Sequence, residues 1–480
     1  MKKKFLLTLL LLIMLIKITV AQTSVSGGIY SNTTWTLANS PYLMTNNIVV
    51  FPGVTLTIEP GVEVLVMENG MSGTQYYLET RGSINMVGTS DAPITFRSET
   101  APTTVGAWAG IKIKNSQGGS INYNYVNMAN AMSCFDYDGT LPSLIQLNQC
   151  NFSYNGYAVI VGTDIIAEDC IFFGNEMAVY GWSGFTFSNC KFDSNQAALS
   201  IYASSLEMNN CELRNNSAGL VLNSGSVEGT SVTNTIFENN IIAYNNANGG
   251  LIDSCVFIGN TEALINTYYI TVSNSSFSDN TIALQVGFGT EVTDCQIEQN
   301  QTGLALGPIS FGQPAPIIEN NRICSNELYN IDNRTDLNLF IPTNCFCTAD
   351  STEIEDKIFD GYDDITKGLI SYAIFDTTCI NVLRLVNKTQ VPTSIEENGT
   401  IESIQVYPNP AADYLFLSNN VKFNSCIIRS IEGKEMSSER LSIGSTTLDL
   451  TQLPAGIYFV ELRAAGKQSE ILKFVHSNND

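Results

Sequence analysis

Cys150-Asn151-Phe152-Ser153-Tyr154-Asn155, Cys170-Ile171-Phe172-Phe173-Gly174-Asn175 and Cys190-Lys191-Phe192-Asp193-Ser194-Asn195 repeat one frame at an interval of 20 residues. Outward from these, the frame returns with anchors at Cys211, Thr235, Cys255, Ser275, Cys295 and Asn321. Two positions after each anchor stands an apolar residue: Phe152, Phe172, Phe192, Leu213, Phe237, Phe257, Phe277, Ile297 and Ile323. Five positions after stands asparagine in every copy: Asn155, Asn175, Asn195, Asn216, Asn240, Asn260, Asn280, Asn300 and Asn326. Eight positions after comes Ala or Gly in the first eight copies, and three before comes an apolar residue in all nine.

A period this short bounds the fold. Anchor and anchor+2 are apolar at strand spacing, so both point one way. A unit of about 20 residues, broken by Asn, Gly and Ser, is too short for a helix pair and its turns. It fits one coil of a parallel β-solenoid, stacked on the next at ~4.8 Å. Equal positions then stand above one another. The asparagines are expected to form an inner ladder at a tight turn, where Asn tolerates the left-handed conformation and its amide can bond to the next. The small column fits a crowded corner, and the Cys and Phe columns fill the core. Six of the 12 cysteines sit in the anchor column as small buried hydrophobes. Cys324 falls at anchor+3, an outward position. With Cys345, Cys347 and Cys379 it offers one or two disulfides, of a pairing the sequence leaves open.

Charge narrows the partners. The chain has 480 residues, 46 acidic and 23 basic, for a formal charge of −23. Four of the lysines lie in the first 22 residues, and without them the charge is −27. Nucleic acid and anionic membrane surfaces are not expected as partners, since phosphate binding needs dense Lys and Arg. With 14% charged residues and ordinary hydrophobicity, the chain is folded. His476 is the single histidine, which argues against a Ser-His-Asp triad or a His-rich zinc site in the main body.

The organisation along the chain follows. Lys2, Lys3 and Lys4 precede an apolar run, Phe5 to Ile16, that is too short to span a bilayer, and Thr19-Val20-Ala21 has the small-residue pattern of a cleavage site. Residues 1–21 are therefore expected to be a signal peptide, and no transmembrane segment is expected in the mature chain. Residues 22–145 read as an N-terminal cap and first coils, 146–340 as regular coils, 341–385 as a C-terminal cap, and 386–402 as a polar linker. In 403–480 the composition shifts to alternating strands, expected to form a small β-sandwich.

These residues resemble known families. Gly53-Val54-Thr55-Leu56-Thr57-Ile58-Glu59-Pro60-Gly61-Val62-Glu63-Val64, Ala92-Pro93-Ile94-Thr95-Phe96 and Trp108-Ala109-Gly110-Ile111 look like the entry coils of exported right-handed parallel β-helix, or pectate-lyase-like, proteins. The resemblance covers roughly residues 28–375. Residues 352–374 look like the cap that ends such rods. Tyr407-Pro408-Asn409-Pro410, Leu453-Pro454-Ala455-Gly456-Ile457-Tyr458 and Lys473-Phe474-Val475 resemble the type A C-terminal sorting domain of the type IX secretion system of Bacteroidetes. That resemblance implies export to the periplasm, passage through the outer membrane by the type IX machinery, and secretion or surface attachment.

Activity is weighed separately. A lyase of this fold needs acids from adjacent coils to hold Ca²⁺ and a base to take the proton. Residues 146–326 hold 16 acids and three bases, Lys191, Arg214 and Arg322, and no aligned column carries acids on successive coils. Asp193 and Arg214 read as a surface ion pair. Asp136, Asp138, Asp164, Glu168 and Asp169 are the carboxylates a glycosidase pair would draw on. No cofactor is expected; Ca²⁺ is the candidate ion, and Asp360, Asp363 and Asp364 lack a full loop pattern for it. Trp182 and Tyr202 both fall at anchor+12 on adjacent coils, with Tyr180 two residues before, as an aromatic patch for sugar rings or a packing surface under a loop. The reading is an exported all-β rod with a non-catalytic role: adhesion, structure, or binding of a polysaccharide or of a host or surface glycan. The alternative is a polysaccharide lyase or glycoside hydrolase on the same rod.

Overall fold

The computed structural model describes residues 22–379, except 69–74, 101–102, 139–143, 224–228, 247, 308–311, 374 and 377–378, and the strands and some turns between 406 and 476. The expected signal peptide and linker lie outside the described residues. By contacts the chain separates into residues 1–391 and 392–480.

The first unit is a parallel β-solenoid of about 13 turns. At one strand spacing per turn its axis is roughly 60 Å long. A regular coil gives one short strand to each of three faces. Asn151–Ser153, Ile171–Phe173 and Lys191–Asp193 pair in parallel, with Phe152, Phe172 and Phe192 in register. Tyr157–Val161 and Asp164–Glu168 start the other two faces. In two coils these later strands run together, as Met177–Ser188 and Ala197–Asn209.

The register turns sequence columns into stacks. Phe172 and Phe192 lie 4.7 Å apart, nearly parallel, and Phe237, Phe257 and Phe277 follow at 4.6 and 4.7 Å. All nine ladder asparagines are buried. Asn195 Oδ1 accepts from Asn175 N (2.9 Å) and Asn175 Nδ2 (3.0 Å), while Asn195 Nδ2 donates to Phe172 O and to Asn216 Oδ1, both at 3.0 Å. Every hydrogen-bonding capacity of that carboxamide is used. The run starts at Ala131 N, which donates to Asn155 Oδ1 (2.9 Å), and ends where Asn326 Nδ2 donates to Asn330 Oδ1 (2.9 Å).

Two sequence expectations are corrected. The left-handed residues are not the ladder asparagines but those at anchor−1 and anchor+4. Asn189, Asn210 and Asp294 have φ of 55°, 53° and 54°, and Ser194, Asn215 and Gln299 have 58°, 55° and 59°. The ladder residue follows the bend and serves through its amide. The anchor column is not simply hydrophobic either. Cys190 Sγ donates to the carbonyls of Ala167 and Ser188, both 3.4 Å away. Ser275 Oγ donates to Ser273 O (2.7 Å) and accepts from Cys255 N (3.1 Å), and Asn321 Oδ1 accepts from Cys295 N (2.9 Å). The column requires a small side chain that can hydrogen-bond, which is why Cys, Thr, Ser and Asn interchange there. Burial pushes the Cys255 thiol up to about 12.

A tenth frame follows the nine. Asn321 Nδ2 donates to Asn344 Oδ1 (3.0 Å), and Phe346 is buried two residues later. The helix Ser351–Glu355 then covers the last coil, with Ile354 buried and Asp350 accepting from Thr352 N. Buried Asp360 accepts from Ile370 N (2.7 Å) and Tyr362 N (2.8 Å), so its carboxylate is held by backbone. The four cap cysteines pair as Cys324–Cys347 and Cys345–Cys379. Cys324 is outward by register yet buried, because its bridge covers it.

Among the described residues the second unit has seven strands in two antiparallel sheets. One sheet joins Val406–Tyr407, Tyr414–Asn419 and Gly444–Asp449, and the other joins Ser425–Ser430, Glu435–Arg440, Gly456–Arg463 and Glu470–His476. Leu415 and Leu448 of the first share a core with Ile428, Val460 and Phe474 of the second. Pro408, Asn409, Pro410 and Ala455 lie outside the described residues.

Candidate functional site

The merged strands Met177–Ser188 and Ala197–Asn209 carry the aromatic patch. Trp182 and Tyr202 are register partners. They are 53% and 46% exposed, high for rings of this size. Tyr180 lies partly buried beside them, its ring 6.3 Å from Trp182 and 6.4 Å from Tyr202, nearly perpendicular to both. Tyr157, from the coil before, meets Tyr180 at 6.5 Å. Four rings therefore share one surface, and three of them stand on strands that pass the corner without a loop. Such a support holds side chains more firmly than a loop does.

Two further residues shape this surface: Gly162, which sequence reasoning missed, and Asp164, which it offered only as a glycosidase carboxylate. A Cβ on Gly162 would stand 2.7 Å from Trp182 Nε1 and 2.9 Å from Cε2, so the indole lies across that glycine. Gly162 occupies the Trp182 column one coil earlier, a signal present in the alignment. Asp164 Oδ1 accepts from the Ser183 hydroxyl and from Gly184 N (2.9 Å). The Ser183 hydroxyl, then the Gly184 amide, hold the Asp164 carboxyl below the usual carboxylate range.

The other candidate acids fall in two groups, Asp136 and Asp138 on the strand Phe135–Asp138, and Glu168 and Asp169 at the end of Asp164–Glu168. Asp138 pairs with Lys114 at 3.1 Å and accepts from Ser116 Oγ. Asp169 accepts from Gln149 Nε2 (3.3 Å) and Asn189 Nδ2 (3.1 Å). Asp136 and Glu168 are exposed. Asp164 and Glu168 sit four residues apart on one strand, roughly 13 Å by strand rise. A glycosidase pair stands about 5–9.5 Å apart. The expected Asp193–Arg214 ion pair is not formed, although the two are register partners. Arg214 pairs with Glu212 (3.0 Å) and Glu238, while Asp193 accepts from Asn215 Nδ2 (3.0 Å). The two glutamates flank the arginine from its own strand and the next, and they outcompete the shorter aspartate.

A concavity of about 520 Å³ opens between early coils, lined by Asn46, Asn47, Gln75, Tyr76, Tyr77, Ala109 and Lys112. Lys112 Nζ lies 4.4 Å from the centre of the Tyr77 ring. Among the described residues, the clusters with metal-ligand spacing are Cys345, Cys347, Cys379 and Glu298, Cys324, Cys347, whose cysteines are in disulfides.

Comparison with known families fits this geometry. Residues 169–323 match the right handed beta helix region, and residues 27–141 match the pectate-lyase like beta helix domain. The chain thus carries right-handed β-helix and pectate-lyase-like domains. Residues 405–476 match the secretion system C-terminal sorting domain, so the chain is one that the type IX secretion system exports to the medium or the cell surface. A search of curated proteins found no match. Among the described residues no helix is long and apolar enough to cross a membrane.

In the sorting module, Tyr458 Oη donates to Pro454 O (2.8 Å), and His476 Nδ1 lies 3.0 Å from the same oxygen. Both are buried. The lone histidine thus braces the Leu453–Pro454 turn.

Proposed function

We propose that the protein is a non-catalytic surface rod that binds a glycan through Tyr180, Trp182 and Tyr202. The observation that carries this reading is the pairing of Trp182 and Tyr202, both about half exposed, on adjacent strands over Tyr180. Large apolar rings left in water at neighbouring positions stack on the apolar faces of sugars. Their support by continuous strands lowers the ordering cost of binding. Of the candidate carboxylates, Asp138, Asp164 and Asp169 are tied to Lys114, hydroxyls and amides. The sorting module accounts for delivery to where such a ligand is met.

The test is retention of the protein on immobilised neutral polysaccharides, compared with a Trp182→Ala/Tyr202→Ala variant. The variant is expected to lose at least tenfold in affinity, since each stacked ring contributes roughly 0.5–1.5 kcal/mol beyond its buried area. Equal retention of both proteins would contradict the assignment.

A further inference from the structure

The chemistry around the platform points to one class of glycan, an inference that rests on the glycan-binding reading above. The regular coils are strongly acidic, with 16 acids against three bases in residues 146–326. Those three bases are all committed. Lys191 pairs with Glu212 (3.2 Å), Arg214 with Glu212 and Glu238, and Arg322 with Glu298. The rod around the rings therefore presents a negative field, which concentrates cations and repels a polyuronate.

On the strands that carry the rings and on Asp164–Glu168, the charged residues are all acidic. Asp164 lies two residues beyond Gly162, the residue that Trp182 covers, and its Oδ1 is fixed by Ser183 and Gly184. The bonds shown engage Oδ1, and Oδ2 remains as an acceptor at the rim. Glu207, on the strand that carries Tyr202, is exposed. No Lys or Arg lies on the strands Tyr157–Val161, Asp164–Glu168, Met177–Ser188 or Ala197–Asn209. A cation is attracted to the electron-rich face of Trp and Tyr, and Trp is the best of the rings for it. An indole laid across Gly162, three tyrosines beside it and a pinned carboxylate at the rim combine a stacking surface with an ammonium site.

We propose that the platform selects a glycan bearing protonated amino groups, such as a de-N-acetylated hexosamine polymer: the sugar face stacks on Trp182 and Tyr202, and the ammonium lies between the rings and Asp164. Acetylation of the amine removes the charge and both of the contacts that depend on it.

The protein carries its own reporter. Of its three tryptophans, Trp35 and Trp108 are 3% and 0% exposed, and Trp182 is 53% exposed. Tryptophan emission of the full chain is titrated with glucosamine oligomers and with N-acetylglucosamine oligomers of the same length. The expected result is saturable change with both, and roughly fivefold tighter binding of the amine form. Asp164→Asn should narrow the gap between the two affinities by about half, the ring contacts remaining, while Tyr202→Ala should weaken both. Equal affinity for the two forms in the wild-type protein would overturn the amine selectivity and leave the glycan platform standing. So would a preference that Asp164→Asn leaves undiminished. An amine response insensitive to Tyr202→Ala would overturn it as well, since it would report only the overall charge. No saturable change with either oligomer, together with no retention on any polysaccharide, would overturn both readings.

Discussion

Asn195 shows how one residue type can hold a rod together. Its carboxamide accepts two hydrogen bonds from Asn175 and donates two, in a column closed to water. Asn195→Leu would leave the amide N–H and side-chain NH₂ of Asn175, and the acceptors at Phe172 and Asn216, short of partners. Each buried group left unpaired costs roughly 1–3 kcal/mol, so the melting temperature should fall by several degrees. An unchanged melting curve would contradict the ladder's role. The column was legible in the sequence because asparagine fills it in all nine copies. The bend beside it was not, because Tyr154, Gly174, Ser194, Asn215 and Asp279 share the same left-handed φ with no common side chain. The trait selected there is a backbone conformation, which several residue types meet. Gly162 escaped for a related reason: its part is to leave room for Trp182, and although it stands in the same column, a missing side chain does not announce that part.

At the scale of elements, the coil and its cap answer to different rules. Coils repeat because each buries its apolar pair only against its neighbours, so nine copies were readable from spacing. The tenth was hidden, since Asn344 replaces the usual Cys, and Ala349 stands where the ladder asparagine would be. The cap has no neighbour beyond it, and it closes the last coil with the helix Ser351–Glu355, the buried Asp360 carboxylate and two disulfides. The bridges span 23 and 34 residues. Closing loops of that size is worth roughly 3 kcal/mol each. Replacing Cys324 and Cys347 by Ser should lower the stability of the last coils by about that amount, with earlier protease cleavage near the cap. Resistance to cleavage equal to that of the parent protein would contradict a latching role. Which cysteines pair was not legible, because spacing alone leaves the connectivity open.

On the scale of the whole molecule, the signal for export and the β-helix are carried by separate units. Deleting residues 403–480 should trap the protein in the periplasm, as fractionation of producing cells would show, and surface display of the truncated chain would contradict the sorting assignment. Fold and address were both legible in the sequence, the first through a period and the second through three short motifs. The working surface was legible only in part. Trp182 and Tyr202 stood out by their shared column, but the pinning of Asp164 and the contribution of Tyr157 depend on which strands merge at the corner, and no local pattern encodes that. A fold that serves many chemistries leaves the question of binding or cutting to the side chains. The most direct measurement is incubation of the protein with neutral, acidic and amino-bearing polysaccharides, with Ca²⁺ and with chelator, scoring chain cleavage and retention in the same samples. Retention without cleavage, indifferent to chelator, is the predicted result; shortening of any polymer would contradict it and return attention to the carboxylates between Asp164 and Asp169.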